Sequence, residues 1–280
     1  MTTVAKPPVN EVVISISFQP QPVLEGPRLL IGLDRILEDF PQITEVSPYE
    51  MPAEHPFEEQ VLQPTVPQIQ FISSPQTQRR YWLTESKSSS LLVQIQSNYF
   101  ALNWRRLEGG AHYPGFELLR EKFGHYLSLF ESATISKGGK PLTVSQLELT
   151  YINLLRPDEL WGATKDLPRV INLSVPGMER FEQLNLAYSE PVWTDPGSFY
   201  GRLHAAVATG YLPKTEPAEL RPLRTPDLIP IINLSITTRS ARLDQSVEDV
   251  GQHFDVAHDA VTGAFRSLTT EDARRNWGLL

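Results

Sequence analysis

From Arg80 to Arg105 the chain alternates apolar and polar residues in short runs. Gln68–Ser73, Arg80–Thr84, Leu91–Gln96 and Tyr99–Arg105 are rich in aromatic and β-branched residues and are separated by Ser, Asn or Pro. In the last run Phe100, Leu102 and Trp104 share one face while Ala101, Asn103 and Arg105 share the other. A repeat of two is the signature of a half-buried antiparallel strand, so the pattern predicts a meander whose inner face is aromatic. An earlier strand is expected from Val9, and later ones at Val144, Val170–Ser174, Phe181–Ser189, Ser198–Thr209 and Ile231–Thr238.

The period then changes. Phe116, Leu119, Phe123, Tyr126, Phe130 and Ala133 are spaced three or four apart, after Pro114 at a helix start and before Gly138-Gly139 at its stop, which predicts a long amphipathic helix. Val247, Val250, Phe254, Ala257, Val261, Ala264 and Leu268 predict a second, with Ser246 and Asp249 as a capping box. A helix is also expected over Arg28–Phe40, and a short last one from Thr269, with Asp272 three residues on, to Trp277-Gly278.

The two long helices align at an offset of 131 residues, Phe123 with Phe254 and Phe130 with Val261, and the strand openings at Val9 and Val144 align at 135. The expected fold is therefore α+β: antiparallel sheet covered by long helices, of helix-grip or saddle-like form, in two similar β-α-β4-α halves. The halves are 1–140 and 141–280, or one continuous domain.

Composition narrows the function. The 280 residues contain no cysteine, which removes disulfides, thiol nucleophiles and cysteine-held metals and fits a reducing, cytoplasmic setting. Neither a signal peptide nor a membrane-spanning run is expected. The net charge of −8 argues against a nucleic-acid coat or an anionic membrane. It is unevenly spread: residues 1–60 hold ten acidic and three basic groups, so the remainder is close to neutral. Twelve of the 24 prolines also lie between Pro7 and Pro75, so Tyr49–Pro67 is expected to cross the surface as an extended loop. This acidic opening is either a surface for a basic partner or an internal cover.

No P-loop, dinucleotide fingerprint, zinc-protease motif, nucleophile elbow or calcium loop occurs, so no catalytic residue, metal ligand set or cofactor is assigned, although an enzyme without a local motif stays open. Candidate binding groups come from four places. Asn103, Trp104, Arg105 and Arg106, with Arg79 and Arg80 on a neighbouring strand, could hold a phosphate or stack on bases. Asp255, His258 and Asp259 could share a helix edge as acid, base or metal ligands. Asn153, Asn172 and Asn233, each between Ile and Leu, could line one polar groove, with Tyr151 and Glu11 nearby. Trp277 either docks on the core or anchors a partner.

The stretches Pro7-Pro8-Val9-Asn10-Glu11-Val12-Val13, Phe100-Ala101-Leu102-Asn103-Trp104-Arg105, Tyr113-Pro114-Gly115-Phe116, Phe265-Arg266-Ser267-Leu268-Thr269-Thr270 and Trp277-Gly278 together resemble a sporadically distributed family of uncharacterised prokaryotic proteins. The resemblance implies a cytoplasmic protein of patchy occurrence, of a kind carried on mobile or defence-related islands, and supplies no catalytic residues. The leading expectation is a non-enzymatic interaction protein, an accessory or neutralising component acting on a protein encoded nearby. The alternative is a small-molecule or nucleotide binder, enzyme or not, that takes a small anion in a sheet–helix cup using Arg105, Tyr151, Asn153 and His258. Nucleic acid is the least favoured partner, and no membrane is expected.

Overall fold

A computed structural model describes residues 7–57, 79–86, 90–107, 112–174, 176–177, 181–195, 197–213 and 228–280. The expected strand Gln68–Ser73 and the turn at Gly109-Gly110 lie outside them, and the expected loop Tyr49–Pro67 is described as far as 57. Strands follow from alternation. In β1 (Val9–Phe18) Val12, Ile14 and Ile16 are fully buried on one face. The meander strands β3 (Arg80–Thr84), β4 (Leu91–Gln96) and β5 (Tyr99–Arg105) have the expected bounds. Later come β6 (Thr143–Leu155), β7 (Asn185–Asp195), β8 (Ser198–Pro213) and β9 (Leu228–Ser240), with short β2 (Gln42–Val46) and β10 (Gln245–Ser246).

These strands form one ten-stranded antiparallel sheet in the order β2-β3-β4-β5-β1-β6-β9-β8-β7, with β10 added beside β6. Its middle is the β1–β6 ladder, where Ile14 pairs with Leu149. Gly201 lets β8 and β9 close up: a Cβ there would stand 2.1 Å from the Arg239 carbonyl oxygen.

Helix α2 (Phe116–Ser136) carries the predicted apolar stripe, and α3 (Gly251–Leu268) carries it from Phe254 on; Val247, Val250 and the expected Ser246–Asp249 capping box precede α3, whose N-cap is Val250 with no side-chain cap. Phe123 of α2 meets Phe100 of β5 at 5.6 Å between ring centres and Phe254 of α3 at 5.2 Å, so both helices join the sheet's apolar face in one core. Each aromatic pair adds about 0.5–1.5 kcal/mol beyond burial. α2 begins after Gly115, whose φ of 94° suits glycine alone.

Several expected elements differ. Over Arg28–Phe40 the chain forms a 3-10 turn, Gly26–Leu30, and a short α1 (Asp34–Asp39), because Gly32 at φ 75° breaks the run. Val170–Ser174 contributes a single bridge, Ile171 to Thr269, instead of a strand. The strand placed at Phe181–Ser189 begins at Asn185. The last helix, α4 (Glu271–Asn276), is capped by Thr270, whose hydroxyl accepts from the Ala273 amide, and not by Thr269. Among the described residues no helix is long and apolar enough to cross a membrane.

Candidate functional site

Strand pairing decides which candidates meet. On β6, Tyr151 and Asn153 point to the helix-bearing face, 6% and 1% exposed. α3 turns His258 toward the same place, and its ring stacks on Phe116 of α2 at 4.0 Å and 3°. Together with Tyr113, Val261 and Phe265 they line a cavity of about 160 Å³ between sheet and helix, to which Pro7 and Leu279 also contribute.

Its polar side is a relay. The Tyr113 and Tyr151 hydroxyls are 2.9 Å apart, and the Tyr151 hydroxyl is 3.2 Å from His258 Nδ1. Burial pushes the Tyr113 phenol up to about 12 and the Tyr151 phenol higher still, with Tyr113 adding to the second shift. Burial also lowers His258 below its ordinary value, against the pull of Asp259, Glu117 and Asp255. The His258 tautomer sets the direction of donation: with Nδ1 unprotonated Tyr151 donates to it and accepts from Tyr113, and with Nδ1 protonated the order reverses. Asn153 donates through Nδ2 to the Leu234 carbonyl at 3.2 Å, while its Oδ1 is buried without a partner among the described residues. Such an orphan costs about 1–3 kcal/mol unless something supplies a donor.

The remaining candidates lie elsewhere. Arg105 does not line the cavity; it sits on the opposite, polar face, in register with Glu11. Asn103 is buried on that face too, accepting from Gln94 at 2.8 Å and donating to Glu11 at 2.6 Å. Trp104 is core, packed on Tyr113 at 5.3 Å. Arg106 donates to the Pro7 carbonyl at 2.9 Å, so it fastens the start of β1. Arg79 pairs with Glu45, while Arg80 donates to Gln94 at 3.3 Å, so Arg80, Asn103 and Arg105 share the polar face and Trp104 faces the core. Trp277 is 8% exposed against Phe265, a docked residue behind the cavity wall.

Two expected groupings are overturned. The pairing of Asn153 with Leu234 and of Asn233 with Leu154 puts the two amides on opposite faces, and Asn172 is held off the sheet by the Ser267 and Thr269 carbonyls. The edge of Asp255, His258 and Asp259 also divides: Asp255 is ion-paired with Arg120 on the outside while His258 turns inward. No group of His, Asp and Glu able to hold a metal occurs among the described residues.

The polar face carries a cluster that sequence reasoning missed. Glu54, 6% exposed at its side chain, receives Arg202 Nη1 at 3.0 Å, Arg239 Nη1 at 3.1 Å and His204 Nε2. Arg239 also holds Glu148 through Nη2 at 2.6 Å. Burial alone would raise the Glu54 carboxyl, but the His204 and Arg202 hydrogen bonds and the Arg239 charge hold it below its ordinary range. The available signal was Arg202 and His204 at a spacing of two in a predicted strand; Glu54 gave none. No protein-family model, curated protein or solved structure matches the chain.

Proposed function

We propose that the chain is a non-enzymatic binding protein that holds one small, mostly apolar, neutral molecule between β6 and α3, with Asn153 Oδ1 accepting a hydrogen bond from it. A comparison within the chain carries this reading. We take the sheet to be two similar halves, each covered by its long helix and related by a two-fold axis at the β1–β6 seam. Three observations support that: the sheet order reads β1-β5-β4-β3 outward on one side and β6-β9-β8-β7 on the other; Ile14 pairs with Leu149, at the same 135-residue offset as Val9 and Val144; and the seam's two irregularities, Val9 opposite Asn153 and Phe18 opposite Val144, are each other's images.

On this mapping Asn153 corresponds to Phe18, Tyr151 to Ile16, His258 to Leu127 and Val261 to Phe130. In the first half those four apolar residues are buried, and Phe18 packs on Phe130 at 6.0 Å, so the place is filled. In the second half the same place is a cavity with Tyr151, Asn153 and His258 among its lining residues. A space of about 160 Å³ is close to the ~150 Å³ apolar cavity that accepts benzene, so the ligand is expected to have six to ten heavy atoms. The walls contain no Lys or Arg, which favours a neutral molecule over the small anion that the sequence suggested.

Phenol is a suitable probe, with an apolar ring and one donor. At 10 mM it is expected to raise the melting temperature by roughly 2–5 °C for a Kd of about 1 mM. Val261→Phe, which restores the filled arrangement, is expected to remove that shift without lowering stability. No shift with phenol in the unaltered chain overturns the reading. A second reading, an accessory protein acting on a nearby-encoded partner, is favoured by the acidic segment lying on the polar face, and co-purification with operon neighbours tests it.

A further inference from the structure

The segment Tyr49–Phe57 crosses the polar face of the sheet, touching β4 and β5 at one end, β6 and β9 in the middle and β8 and β7 at the other, in the manner of a bound peptide. Its backbone is read by side-chain amides: Gln96 accepts from the Tyr49 amide at 3.0 Å and donates to its carbonyl at 2.9 Å, and Gln146 accepts from the Glu54 amide at 3.2 Å and donates to the Pro52 carbonyl at 2.9 Å. Arg202 donates to the His55 carbonyl at 2.7 Å. Between these clamps the segment makes no strand pairing, and Pro52 and Pro56 keep it extended.

Three side chains fill distinct places. The Tyr49 ring packs on Tyr99 at 5.1 Å beneath Arg80, and Phe57 packs on Trp193 and Phe199 at 5.1 and 5.8 Å. Between them Glu54 enters the cationic site of Arg202, His204 and Arg239. With Glu148 already balancing Arg239, removing Glu54 leaves Arg202 without a carboxylate among the described residues, where its Nη2 has no partner even with Glu54 in place. A buried cation in that position requires a carboxylate or its equivalent.

We infer that this face is a groove for an extended peptide of a partner protein, acidic and proline-containing, with a glutamate three residues before an aromatic, and that Tyr49–Phe57 occupies the groove in cis as a displaceable strap. Bidentate glutamines recognise backbone and not sequence, so they suit any extended segment; the cationic site and the aromatic shelf supply the selection. The face lies opposite the sheet–helix cavity, so the groove stands or falls independently of it.

The test uses the full chain and a fluorescein-labelled synthetic peptide with the sequence of residues 47–57. The strap competes at the millimolar effective concentration of a tethered segment, so the unaltered chain is expected to bind the peptide weakly. Glu54→Gln weakens the strap and is expected to tighten peptide binding about tenfold, while the same change made in the peptide lowers its binding to that variant about tenfold. A folded Glu54→Gln chain that ignores the peptide at several millimolar overturns the inference, as does equal binding of the peptides with and without the carboxylate. Self-association of the variant with no peptide binding also overturns it, in favour of a second copy as occupant. Where the variant fails to fold, hydrogen exchange on the unaltered chain decides: a displaceable strap exchanges its Tyr49 and Glu54 amides by local opening, independent of low denaturant, whereas exchange only with global unfolding makes the strap integral and overturns the proposal.

Discussion

Single side chains on the two faces of the sheet respond differently to change. Asn153 buries an acceptor that finds no donor among the described residues. Asn153→Leu is expected to stabilise the unliganded chain by up to about 1 kcal/mol in chemical denaturation and to abolish phenol binding, a trade of stability against function. A loss of stability of several kcal/mol would instead mark the amide as structural. Histidines set a pH window. Burial lowers both His258 and His253 from 6.5, so the folded state holds fewer protons than the unfolded chain as the solution becomes acidic. Their contribution is complete above pH 6.5 and is lost as pH falls below it toward the folded values, by at most about 1.4 kcal/mol per pH unit for each. Urea midpoints at pH 7.5 and 5.5 should differ in that direction, and His258→Phe should flatten the slope by one group. Glu54 acts lower: its folded value is depressed from 4.5, so its contribution is present above that pH and disappears below it, where Arg202, His204 and Arg239 lose their shared partner.

Elements with a strict period were legible in the sequence, and elements that bury little were not. β3, β4 and β5 alternate cleanly between turn residues, and α2 and α3 keep an unbroken stripe, because each buries one face in the same core. β2 is an edge strand with almost every residue exposed, so no apolar repeat announces it. The Arg28–Phe40 helix fails at Gly32, a signal present in the sequence but weaker than the leucine spacing around it. Tyr151, Asn153 and His258 could be picked out because a polar group interrupts an apolar stripe, a purely local sign. Glu54 could not, since Arg202, His204 and Arg239 lie 148, 150 and 185 residues away in the chain. α4 is short but docked: Trp277 packs on Phe265, and Leu279 lines the cavity. Deleting residues 273–280 is therefore expected to lower the melting temperature by roughly 5 °C or more and to remove the phenol shift together. Loss of the phenol shift with an unchanged melting temperature would contradict the docked role.

For the whole molecule the decisive place is the seam. Val12, Ile14 and Ile16 of β1 and Leu147 and Leu149 of β6 are all fully buried, and the ladder between them continues the sheet from one half into the other. A half separated there exposes a long central strand as an edge, the condition that drives aggregation or pairing with another chain. The strands on the two sides of that ladder should therefore not unfold independently. Calorimetry is expected to give one transition whose calorimetric and van't Hoff enthalpies agree. Ile14→Ala and Leu149→Ala should each cost about 2–5 kcal/mol, with a coupling of about 0.5–3 kcal/mol between them because they pair directly. Reporters on either side of the seam, Trp104 fluorescence on one and hydrogen exchange in β8 on the other, should then lose structure at the same denaturant concentration. Two separated transitions would instead mean that burial within each half outweighs the seam, and that the sheet is continuous in geometry but not in energy.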